Sequence, residues 1–217
     1  MISEKMVTLG TKKSVIREIF EYSKKRAAEI GTENVFDFSI GNPNVPAPAS
    51  VHETIKELLD SKDDYYLFGY TSAQGDMAVR AKIAESIEKR FGFPANKDLI
   101  YMTCGAAASL TVTLNALINS GDEIIIPSPF FPEYRVFAEN AGARVVTVQC
   151  RKPDFQLDIK ATENAVTEKT KAIIINSPNN PTGAVFSPDT IKALSDMLCK
   201  KQAEYGTDIY IIADEPY

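Results

Sequence analysis

The chain has 217 residues, of which 44% are hydrophobic and 24% are charged, and its formal net charge is -5. The slight acidity argues against a nucleic-acid-binding protein, which usually carries a basic excess. No segment approaches the roughly 20 apolar residues of a membrane-spanning helix, and the N terminus shows no apolar secretory signal. We therefore expect no nucleic-acid partner, no membrane insertion and a cytoplasmic location.

The reactive side chains narrow the chemistry further. The cysteines are Cys104, Cys150 and Cys199. Their odd number and wide spacing are atypical of a disulfide framework or a zinc site, so we expect three separate buried thiols. The only histidine is His52, which excludes a histidine-rich metal centre, and excludes Ser-His or Cys-His catalysis unless His52 is the base. Ser50 and Glu53 have the spacing of a capping box, which places His52 in the exposed first turn of a helix.

The first part of the chain predicts helices separated by loops. Residues 14–29 carry an amphipathic pattern, residues 51–59 carry an apolar stripe that we expect to face inward, and residues 79–91 predict a third helix. Between them, the three prolines of residues 41–48 favour an extended loop. Residues 62–75 predict another loop.

From residue 99 onward the pattern changes to short, continuous apolar runs. Such runs indicate strands that are covered on both faces. Helical stripes separate most of them, and this alternation predicts an α/β fold, a mostly parallel sheet with helices on both faces. The predicted strands are residues 99–102, 124–126, 145–148, 172–175 and 209–213.

The segments that follow the predicted strands form the candidate site, because ligands bind at the carboxyl ends of parallel strands. After the first strand, Gly105, Ala106 and Ala107 lead into a helix whose free N–H groups suit a phosphate. Tight packing of helix on sheet would also select such small residues. After the second strand, Phe130 and Phe131 could stack on a planar ring, or could form a local hydrophobic plug.

Polar residues follow the fourth and fifth predicted strands. Residues 176–183 form a dense turn sequence, in which asparagine amides could bind a ligand or only satisfy the backbone. Asp214 ends a buried apolar strand, where a carboxylate is costly unless a cation pairs with it. It could instead cap the next element. We favour a ligand for the asparagine segment and a cationic partner for Asp214.

In this order, these segments resemble the class I and II aminotransferases, which are fold-type I pyridoxal-phosphate enzymes, and most of all the bacterial aspartate aminotransferases. The resemblance is carried by residues 39–43, 69–71, Gly75, Arg80, 103–106, 121–123, 127–131, 179–183 and 213–217. It implies that residues 1–40 belong to the small domain. Residues 41–217 would then form the large, cofactor-binding domain, truncated before the catalytic lysine.

The resemblance also implies how the cofactor ring is held. Asp214 would pair with the protonated pyridine nitrogen, which keeps the ring electron-poor. Tyr217 and Asn180 would donate to the phenolic oxygen of the ring. Phe131 would lie over the ring face, and Asn180 and Phe131 would also line the substrate site.

Further implied roles concern the phosphate, the substrate and a second subunit. The backbone N–H groups of Ala106 and Ala107, after Gly105, would hold the cofactor phosphate. Gly41 would border the substrate carboxylate. Tyr70 would reach the phosphate of the other subunit's cofactor, which implies a homodimer with a shared active site.

The implied activity is pyridoxal-phosphate-dependent transfer of an amino group from an L-amino acid, with aspartate or glutamate favoured, to a 2-oxo acid. One alternative is a carbon–sulfur β-lyase, which would use the same cofactor site. Another is a non-catalytic module, because no lysine in the chain matches the position of the family's catalytic lysine. That lysine would follow Tyr217, so we expect the 217-residue chain alone to be inactive.

Overall fold

The computed structural model describes residues 2–11, 15–39, 41 and 45–217. The chain divides into two compact units, Met1–Tyr70 and Thr71–Tyr217. The first unit is helical and the second carries the sheet. The expected boundary between small-domain and large-domain segments, after residue 40, stays a prediction. Among the described residues, no helix is both long and apolar enough to cross a membrane.

Short helices make up the regular structure of the first unit. They are α1 (Glu4–Thr11), α2 (Val15–Ile30), a 3₁₀ turn (Thr32–Asn34), α3 (Ala49–Ser61) and α4 (Asp64–Phe68). The amphipathic helix predicted for residues 14–29 is confirmed by α2. Helix α4 lies inside the predicted loop 62–75, and a local cap explains it. The side chain of Asp63 accepts a hydrogen bond from the backbone N–H of Tyr66 at 2.9 Å and so stabilises the first turn.

Helix α3 corrects two details of the sequence prediction. Its apolar stripe was expected to face inward, but these side chains are 40–56% exposed, since the described residues leave the stripe open to solvent. They are Val51, Ile55, Leu58 and Leu59. The helix begins at Ala49 after Pro48, without a side-chain cap, so Ser50 is not the capping residue. His52 does lie in the exposed first turn.

The second unit contains a parallel sheet between two helical layers. Its elements are α5 (Met77–Phe91), a 3₁₀ turn (Lys97–Leu99), α6 (Ala106–Leu117), β1 (Glu123–Ser128), α7 (Glu133–Asn140), β2 (Arg144–Gln149), α8 (Ile159–Ala165), β3 (Thr170–Asn176), α9 (Pro188–Tyr205) and β4 (Tyr210–Asp214). The strands pair in parallel in the order β2-β1-β3-β4. The predicted α/β fold is confirmed.

The two central strands of the sheet, β1 and β3, are buried on both faces. Ile124, Ile126 and Ile174 pack in one cluster with residues of α6 and α7. Ile125 and Ile173 point the opposite way and pack in a second cluster with residues of α8 and α9. Because neighbouring residues of a strand face opposite sides, a strand covered on both faces needs an apolar residue at every position. This explains the continuous runs in the sequence.

The first predicted strand, residues 99–102, is wrong. Leu99 ends a 3₁₀ turn and is 84% exposed. A strand needs a hydrogen-bonded neighbour, and among the described residues no ladder pairs with this segment. The backbone N–H of Met102 instead donates to the carbonyl of Gln74 at 3.0 Å. A short apolar run does not by itself establish a strand.

The expectation of three buried thiols is also wrong. Cys104 and Cys199 are exposed, and Cys150 is half-buried. Cys104 lies in the loop before α6, and Cys199 lies on a solvent-facing position of α9. Burial raises the pKa of the Cys150 thiol, and the charge of Asp154 raises it further. The thiol therefore stays protonated at neutral pH.

Candidate functional site

A cavity of about 260 Å³ opens at the carboxyl ends of β3 and β4. Segments that are distant in sequence meet there, as expected for the carboxyl edge of a parallel sheet. The lining residues are Ala106, Phe131, Tyr134, Asn176, Asn180, Asp214, Pro216 and Tyr217. Residues predicted after four different strands therefore share one space, although the first of those predicted strands, residues 99–102, is not a strand in the structure. Ala106 and Asp214 also line an adjoining cavity of about 290 Å³.

One end of the cavity is the start of α6. Gly105 has φ 87° and ψ 170°, a region that is essentially restricted to glycine. This conformation turns the chain into α6, so that Ala106 and Ala107 begin the helix with N–H groups that no preceding helical carbonyl can satisfy. The hydroxyls of Thr103 and Ser109 lie 2.5 Å apart and brace the turn. Free N–H groups and the positive end of the helix dipole favour an anion here.

The other end of the cavity carries the carboxylate of Asp214. The phenol of Tyr134 donates a hydrogen bond to Asp214 Oδ2 at 2.5 Å. Tyr134 is 2% exposed. Burial raises its pKa, and the hydrogen bond and the negative charge of Asp214 raise it further, so the phenol remains a donor. Among the described residues, no lysine or arginine forms an ion pair with Asp214. The carboxylate is oriented by its neighbour and is available to a cationic ligand.

The asparagine segment between these two ends divides into structural and cavity-facing residues. Asn176 is 3% exposed; its amide donates to the Asp214 carbonyl at 2.8 Å and accepts from the Asn180 backbone at 2.6 Å. Asn179 accepts hydrogen bonds from the N–H and the hydroxyl of Thr182. Asn176 and Asn179 therefore satisfy backbone groups, as the alternative interpretation stated. Asn180 lines the cavity.

Phe131 forms a wall of the cavity. Its ring lies edge-on to that of Tyr134, with centroids 5.6 Å apart and an interplanar angle of 80°. The aromatic pair fixes the orientation of Phe131 relative to the residue that holds Asp214. A planar ligand between Asp214 and the start of α6 would contact this wall.

Other predicted site residues are not placed in this cavity. Gly105 and Ala107 flank the lining residue Ala106. Gly41 and Tyr70 belong to the first unit, and the Tyr70 side chain is fully exposed. Their predicted roles stay predictions. The remainder of the segment around Gly41, residues 40 and 42–44, lies outside the described residues.

Tyr134 and Asn176 are site residues that the sequence interpretation did not select. Tyr134 occupies the first turn of the helix after β1, three positions after Phe131, and so faces the same edge of the sheet. Asn176 is the last residue of an otherwise apolar strand and is buried. A polar residue in that position needs hydrogen-bond partners. An asparagine at the end of an apolar strand was therefore the sequence signal that could have identified Asn176.

Replacing Tyr134 with phenylalanine tests how firmly the phenol holds Asp214. Loss of a hydrogen bond to a carboxylate should lower the free energy of unfolding by about 1–3 kcal/mol at pH 7. The folded-state pKa of Tyr134 is raised, so its contribution is complete below the unfolded value of about pH 10 and is lost at higher pH. Above pH 10, the free energy of unfolding measured with denaturant should therefore fall more steeply with pH for the wild type than for Tyr134→Phe, by about 1.4 kcal/mol per pH unit.

The matched control for this prediction is Tyr101→Phe, because Tyr101 is 54% exposed. It should leave both the stability at pH 7 and the alkaline slope unchanged. Equal slopes for the wild type and Tyr134→Phe would contradict the prediction.

The donor set defines a class of ligand and of protein. A dianionic phosphate fits the start of α6, a protonated ring nitrogen fits Asp214, and an aromatic wall fits the ring between them. The two ends face one cavity, as the sequence interpretation requires. A parallel α/β domain with this arrangement at its carboxyl edge is the large domain of a fold-type I pyridoxal-phosphate enzyme.

The chain belongs to the family of class I and II aminotransferases, whose model matches residues 33–217. Members of this family depend on pyridoxal phosphate, so the predicted family and cofactor are confirmed.

The chain is similar to known proteins over almost all of its length. A probable aspartate aminotransferase of Methanocaldococcus jannaschii is 32% identical over 206 residues, which cover 95% of this chain and 50% of that protein. An alanine aminotransferase of Mycobacterium tuberculosis is 32% identical over 210 residues, covering 94% and 46%. A crystal structure of an aminotransferase from Eubacterium rectale is 54% identical with a TM-score of 0.97, covering 100% and 55%. The chain thus spans about half the length of these relatives.

Proposed function

We propose that the whole protein transfers an amino group from an L-amino acid, with aspartate or glutamate favoured, to a 2-oxo acid. The observation that carries this proposal is that Asp214 and the start of α6 face the same cavity. Membership of the aminotransferase family supports transamination in general. The similarity to aspartate aminotransferases supports the preference for dicarboxylic substrates.

Asp214 would pair with the positively charged, protonated nitrogen of the cofactor ring. The carboxylate would accept a hydrogen bond from the ring N–H, while Tyr134 holds its other contact and Asn176 holds its backbone. When bound, pyridoxal phosphate supplies an electron-poor ring that stabilises the negative charge left when the substrate Cα loses its proton. A fixed carboxylate keeps the nitrogen protonated because the positive form is paired in a partly dry site.

The remaining predicted contacts would orient the cofactor and substrate. Ala106 and Ala107 would donate backbone N–H groups to the phosphate, after the turn at Gly105. Asn180 and Tyr217 would donate to the phenolic oxygen of the ring, and Phe131 would cover one ring face. Asn180 and Phe131 would also contact the substrate.

The described cavity holds only part of the machinery that transamination requires. No lysine lines it, although the reaction needs an amine to move the proton from the substrate Cα. We therefore expect the 217-residue chain alone to be inactive. In the whole protein, Gly41 would border the substrate carboxylate, and Tyr70 would reach the cofactor phosphate of a second subunit in a cytoplasmic homodimer. Residues 1–40 would belong to the small domain.

A half-reaction tests the proposed function. The whole protein, loaded with pyridoxal phosphate, is mixed with L-aspartate, L-glutamate or L-alanine, and the absorbance change to the amine form of the cofactor is followed. Conversion by aspartate or glutamate at lower concentration than by alanine is expected. Absence of conversion with every common amino acid would contradict transamination. Steady release of pyruvate and ammonia from cystathionine, without a 2-oxo acid, would indicate a β-lyase instead.

A further inference from the structure

Arg80, in the first turn of α5, is a buried charge that the proposed chemistry does not use. It is 4% exposed, and among the described residues no carboxylate pairs with it. Its guanidinium donates to two backbone carbonyls, from Nε to Gly75 at 3.3 Å and from Nη1 to Lys97 at 3.0 Å. A buried cation needs compensating contacts. Here the contacts are carbonyls that belong to two separate loops.

The first loop is a tight turn that ends at Gly75. The N–H of Gly75 donates to the Ser72 carbonyl at 2.8 Å, and the Ser72 hydroxyl donates to the Gly75 carbonyl at 2.6 Å. Gly75 has φ 96°, and a Cβ at this position would lie 2.4 Å from Met102 Cγ. The carbonyl of Gln74 accepts from the Met102 N–H at 3.0 Å. This turn is therefore packed and hydrogen-bonded against the second loop.

The second loop runs from Lys97 to Met102 and continues through Thr103 into the turn at Gly105. Among the described residues it pairs with no strand, and Leu99 and Tyr101 are exposed while Ile100 is half-buried, so no β-ladder holds it. Its position is fixed at its start by Arg80 and at its end by the Gln74 carbonyl. Any shift of this loop would move the helix start that faces the cavity.

We propose that Arg80 is a positioning residue, which holds loop 97–102 and thereby places the N–H groups of Ala106 and Ala107 for the cofactor phosphate. This inference rests on the proposed function, in which those groups bind phosphate. Arg80 touches neither cofactor nor substrate. It acts through the backbone that it clamps, so its loss should weaken the binding of the phosphate and leave the ring contacts at Asp214 intact.

The test compares cofactors with and without a phosphate. Dissociation constants of pyridoxal phosphate and of pyridoxal are measured for the whole apoprotein as wild type, Arg80→Met and Arg80→Lys. For Arg80→Met, the dissociation constant of pyridoxal phosphate should rise at least about 10-fold. The misplaced N–H groups of Ala106 and Ala107 would then lose charge-assisted hydrogen bonds to the phosphate. The constant for pyridoxal should stay unchanged. Arg80→Lys should fall in between, because an ammonium group keeps the charge but not the planar fork.

Two further variants separate positioning from general damage. Arg90→Met removes an exposed arginine of the same helix and should change neither constant. Gly75→Ala keeps Arg80 but forces Gly75 and Met102 apart, and it should reproduce the selective loss of phosphate affinity. If Arg80→Met fails to fold, Arg80→Lys and Gly75→Ala decide the question.

Each outcome bears on a different claim. A wild type that binds pyridoxal as tightly as pyridoxal phosphate would contradict the proposed phosphate site itself. A wild type that discriminates, with Arg80 and Gly75 variants that keep the same ratio of the two constants, would overturn only the role of Arg80. Equal weakening of both ligands would also overturn it, because that result indicates a general structural role.

Discussion

Replacing Asp214 with alanine in the whole protein is expected to lower kcat/KM for transamination by on the order of 10³-fold, the loss typical of removing one preorganised electrostatic contact. Asp214 is the only charged side chain among the described lining residues of the 260 Å³ cavity, and Tyr134 already orients its carboxylate. Without it, the ring nitrogen would lose its proton, and the negative charge that develops at the substrate Cα would no longer be stabilised.

Two further variants isolate the contribution of the charge. Asp214→Asn keeps the size of the side chain and can still accept from Tyr134, so a loss similar to that of alanine would assign the effect to the charge. Asp208→Ala removes an exposed carboxylate just before β4 and should leave kcat/KM unchanged. Steady-state kinetics at saturating cofactor provide the measurement. If kcat/KM of Asp214→Ala stayed within about 10-fold of the wild-type value, the proposed ring site would lose its basis.

The strands of the sheet could be predicted because each contains a short, continuous apolar run, although only the central strands β1 and β3 are buried on both faces. The four paired strands contain the continuous apolar runs that begin at residues 124, 145, 172 and 209, with small differences at the ends. Residues 99–102 have a similar composition but lie outside the sheet. Strand formation depends on a hydrogen-bonded partner, which composition does not reveal. The apolar stripe of α3 likewise predicted the helix correctly but its burial wrongly, because burial depends on packing against another segment, which the sequence of the helix does not reveal.

The candidate site was predictable where a residue faces the cavity and less so where it supports another residue. Asp214 ends β4 and Asn180 lies in the turn after β3, so their position at the carboxyl edge followed from chain order. Tyr134 and Asn176 act through partners that are 80 and 38 residues away in sequence. No local pattern encodes such a contact, although a buried polar residue at a strand end indicates that one exists.

A change of backbone conformation at Gly105 should impair cofactor binding, just as loss of the Asp214 charge should impair catalysis. With φ 87° and ψ 170°, an alanine at this position would be strained by about 1–3 kcal/mol, although no atom lies within 4 Å of its Cβ. The chain can relieve this strain by rotating the first turn of α6, which redirects the N–H groups of Ala106 and Ala107. Gly105→Ala should therefore weaken the binding of pyridoxal phosphate by about 10- to 100-fold.

Gly206→Ala is the matched control, because Gly206 also has positive φ, 66°, and free space around its Cβ, but it ends α9 away from the cavity lining. Both variants should lose stability in denaturant unfolding, since both place a Cβ on left-handed backbone. Only Gly105→Ala should also lose cofactor affinity, measured by titration of the whole apoprotein with pyridoxal phosphate. Stability and phosphate binding would then respond separately to the same chemical change. Undiminished affinity in Gly105→Ala would mean that the phosphate is held elsewhere than at the start of α6.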